Sequence, residues 1–559
     1  MQPEHSRSYW LALSLQAIIV LLYCGWVLSM PVFPSQDGPL HLYCVEIFRQ
    51  LLAHKSTVYT HDYYIGHYFP PYSFYYYGLV VLGKVTSLEM ADKLIVCLYF
   101  ILLPVGLRSL TRAVSGKADW APLLMTPVFI NWPLMMGFVN YCIASVFACF
   151  ALAVWCRNQA HPTWRSRLLF LFWIVIILFT HPVPWMFVLV FCFFELALRL
   201  LRSRMAKEPD ARRAVLAGFR GDLLVVIAGC MGYFYLKLFS SKLPPTFPGE
   251  VKSKPPYLQQ VWLNLFDYLR TRGLTVFTGT SGSALVQRLG ISIVFAIALI
   301  FAVRYALRNF RSKGWSWPLV WTIFAVLFTV ALPFVPLDLN GSFYFAWRLL
   351  LLLYLSVAVA ASAAMAKNTR GTIALAVVAV FVSIFSLALG VHRISPVARA
   401  IATLRDAPVV QTDKPGLLTR PFGVFAPAGL FYNPEYWAGA DYFRHHELVL
   451  YNTGWLNLPI IPIKPRPEEL PKIDWTYFVE TPMPGNRLFR TDATARDTLS
   501  RVGFVLAMRV NAPEQQSPFT ETVGSPTADP WAAGWSCLSR PDWKLCVPPG
   551  QTLGAAKSQ

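Results

Sequence analysis

The chain has 559 residues, of which 55% are hydrophobic, 15% aromatic and only 14% charged, against about 25% charged in an ordinary soluble domain. That balance excludes a water-soluble globule. The formal net charge of +20 invites a nucleic-acid reading, but Lys and Arg fall in short clusters between apolar runs rather than on one basic face, so the charge is a topology signal and no nucleic-acid partner is expected.

The first apolar run, Tyr9 to Met30, is long enough, at about 1.5 Å per residue, to cross about 30 Å of hydrocarbon. It lacks a small-residue cleavage pattern and reads as an uncleaved first span. Further spans are expected at 88–107, 119–133, 137–156, 168–181, 184–198, 222–240, 287–303, 316–335, 345–366 and 371–391, about eleven in all. The sequence THPVPW at 180–185 puts two prolines in the middle of one apolar run. Helical hydrogen bonds would be lost there, so two short spans meeting at a turn are expected.

With the N-terminus in the cytoplasm, the connections 108–118, 157–167, 199–221, 304–315 and 367–370 are cytoplasmic, and all are basic. The opposite connections 134–136, 182–183 and 336–344 hold no Lys or Arg, so the positive-inside rule orients the chain consistently. Merging the Pro-interrupted pair would invert everything after it. Glu195 and Arg199, near a cytoplasmic end, are four residues apart and are expected to pair.

Polar chemistry is left to three outer segments: the loops 31–87 and 241–286, and the tail. The fold class is therefore mainly α: a polytopic membrane bundle over 1–395, with amphipathic helices in its first outer loop. A small extracytoplasmic α/β or α+β domain follows over 396–559, because runs such as ELVLYN and RVGFVLAMRV read as strands. Eight cysteines lie in or beside apolar runs without paired CxxC spacing. Cys537 and Cys546 lie in the polar CLSRPDWKLC, and on this topology they face an oxidising compartment and are expected to form a disulfide.

The first outer loop begins PVFPSQDGPLHLYCVEIFRQLLAH. Asp37 stands before Gly38 and Pro39 at the start of an amphipathic helix, where it is a good N-cap and also a firmly held carboxylate facing outward, as a general base must be. His41 lies one turn on along the same face. The loop continues YTHDYYIGHYFPPYSFYYYG, with His61, Asp62 and His67 among clustered tyrosines. An aromatic belt at headgroup depth accounts for Tyr72, Tyr75, Tyr76 and Tyr77, although aromatic faces also stack on sugar rings. Asp37, His41, His61 and Asp62 are candidate ligands for a divalent metal such as Mg or Mn, but no spacing compels one. His181, beside the two prolines, either lines a cavity or satisfies freed carbonyls. Arg348, in GSFYFAWRLLLLLYL at an outer helix end, either snorkels to the interface or uses its fork to hold a lipid phosphate.

The apolar first helix, the Asp just beyond it, the long outer loop with PPYSFYYYGLVVLGK, the many spans and the outer tail together resemble the GT-C superfamily of polytopic, lipid-phosphosugar-dependent glycosyltransferases, such as protein mannosyltransferases and aminoarabinose transferases. The resemblance covers about the first 400 residues as architecture. It implies a polyprenyl-phosphate-linked sugar donor and an acceptor glycan, lipid or protein, in a bacterial inner membrane. It also implies that Asp37 activates the acceptor or holds a metal. The family often carries a second acidic residue beside the first; Gly38 stands there instead. Arg348 corresponds loosely to the basic residue set against the lipid-linked phosphate, and His41, His61, Asp62 and His181 are candidate substrate contacts. The competing expectations are a transporter or lipid flippase, against which the lack of repeated halves counts, and a noncatalytic envelope assembly factor.

Overall fold

The structure is a computed structural model. It describes residues 7–412 apart from 67, 117–119, 160–161, 206–217, 241–256, 270–272, 278–281, 314–315, 337–344 and 367–368. Beyond 412 it describes 414, 416–419, 438–448, 462–465, 503–508, 535–540 and 543–551. The Pro-rich stretch 242–256 and most of the ELVLYN run lie outside the described residues.

The helices in chain order are α1 (Arg7–Ser29), α2 (Gly38–Leu52), α3 (Val58–Asp62), α4 (Ser73–Leu82), α5 (Leu88–Ser115), α6 (Trp132–Met135), α7 (Val139–Asn158), α8 (Trp164–Thr180), α9 (Pro182–Met205), α10 (Phe219–Cys230), α11 (Gly232–Ser240), α12 (Tyr257–Leu269), α13 (Gly282–Lys313), α14 (Trp317–Ala331), α15 (Phe345–Met365), α16 (Thr369–Arg393), α17 (Ser395–Ala402) and α18 (Ala440–His445). Among the described residues, nine helical stretches are long and apolar enough to cross a membrane, and the chain is a multi-pass membrane protein. The expected span at 168–181 is the 17-residue α8. It ends at His181, and α9 begins at once with Pro182, so the THPVPW turn breaks the run in two.

The expected span at 119–133 is not an α-helix. Residues Ala121–Val128 form a 3-10 helix, followed by the single turn of α6. Pro122, Pro127 and Pro133 remove three backbone donors within this short stretch, which disfavours the α-helical ladder. Such backbone is tolerated at membrane depth only when protein surrounds it, and every residue from Ala121 to Val128 is buried. Side chains replace the missing ladder. Thr126 shares a 2.6 Å hydrogen bond with Ser383 of α16. The Asn131 amide donates to Tyr99 at 3.0 Å and to the Val128 carbonyl at 3.0 Å, while its oxygen accepts from the Leu134 N–H.

At the bundle end that carries the basic connections, Asp222 of α10 is fully buried and accepts from Arg199 of α9 at 2.9 Å and Arg167 of α8 at 3.0 Å. Arg199 also pairs with Glu195 at 2.7 Å, as the spacing predicts. Asn158, at the end of α7, donates to Asp222 at 3.1 Å, so one carboxylate ties four helices.

At the other end, called here the loop end, the tail settles on the first loop. Strand β1 (Tyr63–Ile65) pairs antiparallel with β3 (Ile463–Pro465). A mixed sheet runs β2 (Gly416–Thr419), β4 (Phe504–Met508), β6 (Trp543–Val547), β5 (Ser536–Ser539), with β2 and β4 parallel and the rest antiparallel. Cys537 and Cys546 face one another across β5 and β6 and are disulfide-bonded, as expected from the sequence.

Candidate active site

Asp37 is placed by the exit of α1 and the start of α2. Its N–H donates to the Met136 carbonyl at 3.1 Å, and the N–H of Gln36 donates to the Met135 carbonyl at 2.8 Å, so the α6–α7 turn clasps this short connection. The sequence makes Asp37 a side-chain N-cap with an outward carboxylate; the structure corrects both points. The carboxylate makes no capping hydrogen bond, because residue 37 already has helical backbone angles, φ −93° and ψ −8°. A capping residue needs extended geometry to turn its oxygen back onto the helix. Asp37 is also buried, 5% exposed, and its carboxylate engages the Gln36 side chain within reach of the Arg348 charge. Burial raises its pKa to about 7, partly offset by Gln36 and Arg348.

Arg348 enters from the first turn of α15. Only 7% exposed, it does not snorkel to an interface. Its guanidinium lies 4.0 Å from the centre of the Phe138 ring, a cation–π contact that holds the plane flat. Its Nε is buried with no hydrogen-bond partner among the described residues, as are Ser35 Oγ and Asn140 Nδ2 nearby. Buried donors without partners are costly, and three of them stand in this short stretch of the site.

Tyr72 and His181 close the group. His181 Nδ1 accepts the Val183 N–H at 3.1 Å. The neutral ring must then carry its proton on Nε2, which donates to the Tyr72 hydroxyl at 3.1 Å. That bond leaves the Tyr72 O–H free to donate elsewhere, and Arg348, Asn140 and Asp37 all lie close enough to shift its acidity. Burial is the largest effect and raises the Tyr72 pKa, while Arg348 pulls it back. The Tyr141 ring meets His181 edge-on at 5.2 Å, and its hydroxyl donates to the Arg348 carbonyl, joining α7, α15 and the α8–α9 turn.

Of the residues named from sequence, Asp37, His181 and Arg348 therefore meet. His41 stands one layer behind them. It is buried, its Nδ1 shares a 2.9 Å hydrogen bond with the Tyr76 hydroxyl, and burial lowers its pKa to about 4, so the ring is neutral. His61 and Asp62 pair with each other at 2.8 Å on α3, where the His61 side chain is 68% exposed. They do not join the Asp37 group. The aromatic-belt reading of Tyr72, Tyr75 and Tyr76 is also corrected, because all three are buried. They face inward, where α4 packs on α2, α5 and α8. The sequence contains the YSFYYY run but nothing that separates a wall of the site from a belt. Asn140, Tyr141 and Phe138 carry no sequence signal at all.

A second polar cluster joins the first turn of α5 to the tail. Glu89, Asp441 and His445 bring ligand-type atoms within 4.8 Å of one another, a spacing that could hold a metal. Arg444, however, reaches Glu89 at 2.5 Å and Asp441 at 2.6 Å, and Arg405 reaches Glu89 at 2.9 Å. Guanidinium groups already supply the positive charge, so these residues do not fit a divalent ion well. Around Asp37 the nearest charge is again an arginine.

No protein family profile and no curated protein sequence matches the chain. Solved structures do. The crystal structure of ArnT from Cupriavidus metallidurans bound to undecaprenyl phosphate aligns over 98% of this chain and 99% of that one, with TM-score 0.52 and 13% identity. The apo structure of the same protein aligns over 97% and 98%, with TM-score 0.51 and 13% identity. The chain shares its fold with a polytopic membrane protein across nearly its whole length, tail included.

Proposed function

We propose that the chain is a GT-C-type membrane glycosyltransferase that moves a sugar from a polyprenyl-phosphate-linked donor to an acceptor at the extracytoplasmic face of a bacterial inner membrane. The loop end is that face, and the tail lies outside the membrane. Support comes from the basic connections at the opposite end, from the shared fold with ArnT, whose structure holds undecaprenyl phosphate, and above all from one observation. Asp37 and Arg348, distant in sequence, meet in a buried polar group in which Arg348 Nε, Asn140 Nδ2 and Ser35 Oγ lack hydrogen-bond partners among the described residues.

Asp37 is the general base. With a pKa of about 7, near neutral pH it is part ionised and basic enough to take the proton of an acceptor hydroxyl as that oxygen attacks the anomeric carbon. The bond from that carbon to the phosphate oxygen breaks, and the electron pair leaves on the polyprenyl phosphate. Arg348, through its unpartnered Nε, and the Tyr72 hydroxyl stabilise the developing negative charge. His181 fixes the Tyr72 proton away from itself. At both clusters arginines supply the positive charge that a Mg or Mn ion would otherwise bring.

The test uses purified protein in nanodiscs with undecaprenyl-phosphate-linked sugars, following release of undecaprenyl phosphate. Asp37→Asn is expected to abolish release. Undiminished turnover would remove Asp37 from the reaction, whereas sugar-lipid flux across proteoliposomes without release would favour a flippase.

A further inference from the structure

Glu89 is distant in sequence from the tail residues it grips, and the tail helix it holds packs on the helix that follows Asp37. The tail helix α18 packs along α2, of which 12 of 15 residues are buried. Two tyrosines of the first loop reach tail carbonyls: Tyr43 of α2 to Leu448 at 3.2 Å, and Tyr59 of α3 to Phe443 at 3.1 Å. Those are ordinary hydrogen bonds. The charged contacts to Glu89 in the first turn of α5 come from Arg444, 9% exposed, which also reaches Asp441 on its own helix, from its neighbour His445 at 3.1 Å, and from Arg405 at 2.9 Å.

The first two turns of α5 hold three neighbours at once. Glu89 takes the tail arginines. Asp92, one turn on, accepts the Tyr75 hydroxyl of α4 at 2.7 Å. Lys93, four residues after Glu89, donates to the Met30 and Leu28 carbonyls at 2.8 and 3.3 Å, gripping the end of α1 just before the Asp37 connection. Residues four apart share a helix face, so the tail clamp and the grip on α1 are mechanically one joint. α2 is thus backed by α18, while Lys93 holds the end of α1 from which the connection to α2 departs.

We propose that α18 is a brace for the Asp37 helix, and that Arg444, though it lies in the tail, is a positioning residue for the site through its bond to Glu89. The inference rests on the proposed role of Asp37 for its consequence but not for its mechanics. Unclamping α18 loosens α2, lets water reach Asp37, and removes the burial that keeps its carboxyl protonated up to neutral pH.

Both effects are measurable on the full-length protein in nanodiscs without any substrate. Amide hydrogen exchange over 38–52 is expected to quicken at least about tenfold in Arg444→Gln, to remain near wild type in Arg444→Lys, and to leave the α7–α10 end unchanged. Glu89→Gln tests the same bond from the membrane side, with little change of shape, and should loosen the same segment. In infrared difference spectra of wild type against Asp37→Asn, the protonated carboxyl band should titrate near pH 7 in wild type and at lower pH in Arg444→Gln. Unchanged exchange over 38–52, or exchange that rises equally in every helix, would overturn the brace while leaving the site reading intact. Conversely, loosening of α2 with a wild-type Asp37 that titrates near pH 4 would keep the brace and sink the assignment of Asp37 as base.

Discussion

Gly137 lies against Asp37 so closely that a β-carbon at 137 would sit 2.9 Å from the Asp37 β-carbon and 3.0 Å from its backbone nitrogen. The glycine also has φ +94°, a left-handed conformation that other residues adopt at a cost. Both facts follow from the α6–α7 turn passing directly over the start of α2. Gly137→Ala should therefore push Asp37 out of register with Arg348. Transfer should fall at least about 100-fold, as misplacements of about 1 Å do, while far-ultraviolet circular dichroism stays that of wild type.

Asp37 carries a stability cost that its replacement should relieve. Its folded pKa of about 7 stands above the ordinary 3.8, so the folded state disfavours ionisation. The contribution of this group to stability is full below pH 4, declines as pH rises toward 7 and is level above it. About three pH units correspond to roughly 4 kcal/mol. Asp37→Asn should thus be inactive yet more resistant to heat at pH 8, and the gain should vanish near pH 3.5. Wild-type turnover should rise as pH passes through about 7, the sign expected for a base that works ionised.

Arg348→Met keeps the apolar stem and removes the fork. If the guanidinium holds the phosphate, the affinity for undecaprenyl phosphate, measured by titration in nanodiscs, should weaken by about 10- to 100-fold, the equivalent of one charged hydrogen bond of roughly 1.5–3 kcal/mol. Arg348→Lys should recover only part of it, because a point charge cannot reproduce a planar fork held against Phe138.

The basic-end network should behave differently. Arg199→Met strips Glu195 of both its bonds and leaves Asp222 to Arg167, Asn158 and Gln159. Breaking a buried pair costs about 3–5 kcal/mol, and here the low end applies because Arg167 remains. Thermal unfolding should shift down while kcat of the folded fraction holds.

Much of the architecture was legible because hydropathy and charge clustering are local. The apolar runs mark the helices, the basic connections mark one end, and the Cys537–Cys546 pair is two cysteines of one short polar stretch. The exception within 119–133 has a local cause that was visible, the prolines at 122, 127 and 133, whose effect depends on neighbours able to replace a lost ladder. Asp37 stands out in the sequence because it follows the first span; that its carboxylate ignores its own helix and engages Gln36 is not visible there, since capping turns on a backbone angle.

What the sequence determined by itself, then, was a membrane chain with a carboxylate at the exit of its opening helix, because burial in lipid demands long apolar runs and those can be counted. The tertiary structure decided which polar residues share that carboxylate's surroundings: Arg348, Tyr72 and His181 join it, His61 and Asp62 do not, and Arg444 grips from the tail. Contacts between residues hundreds of positions apart arise from how helices pack side by side, and packing depends on shape matched across neighbours, which no periodicity within one helix records.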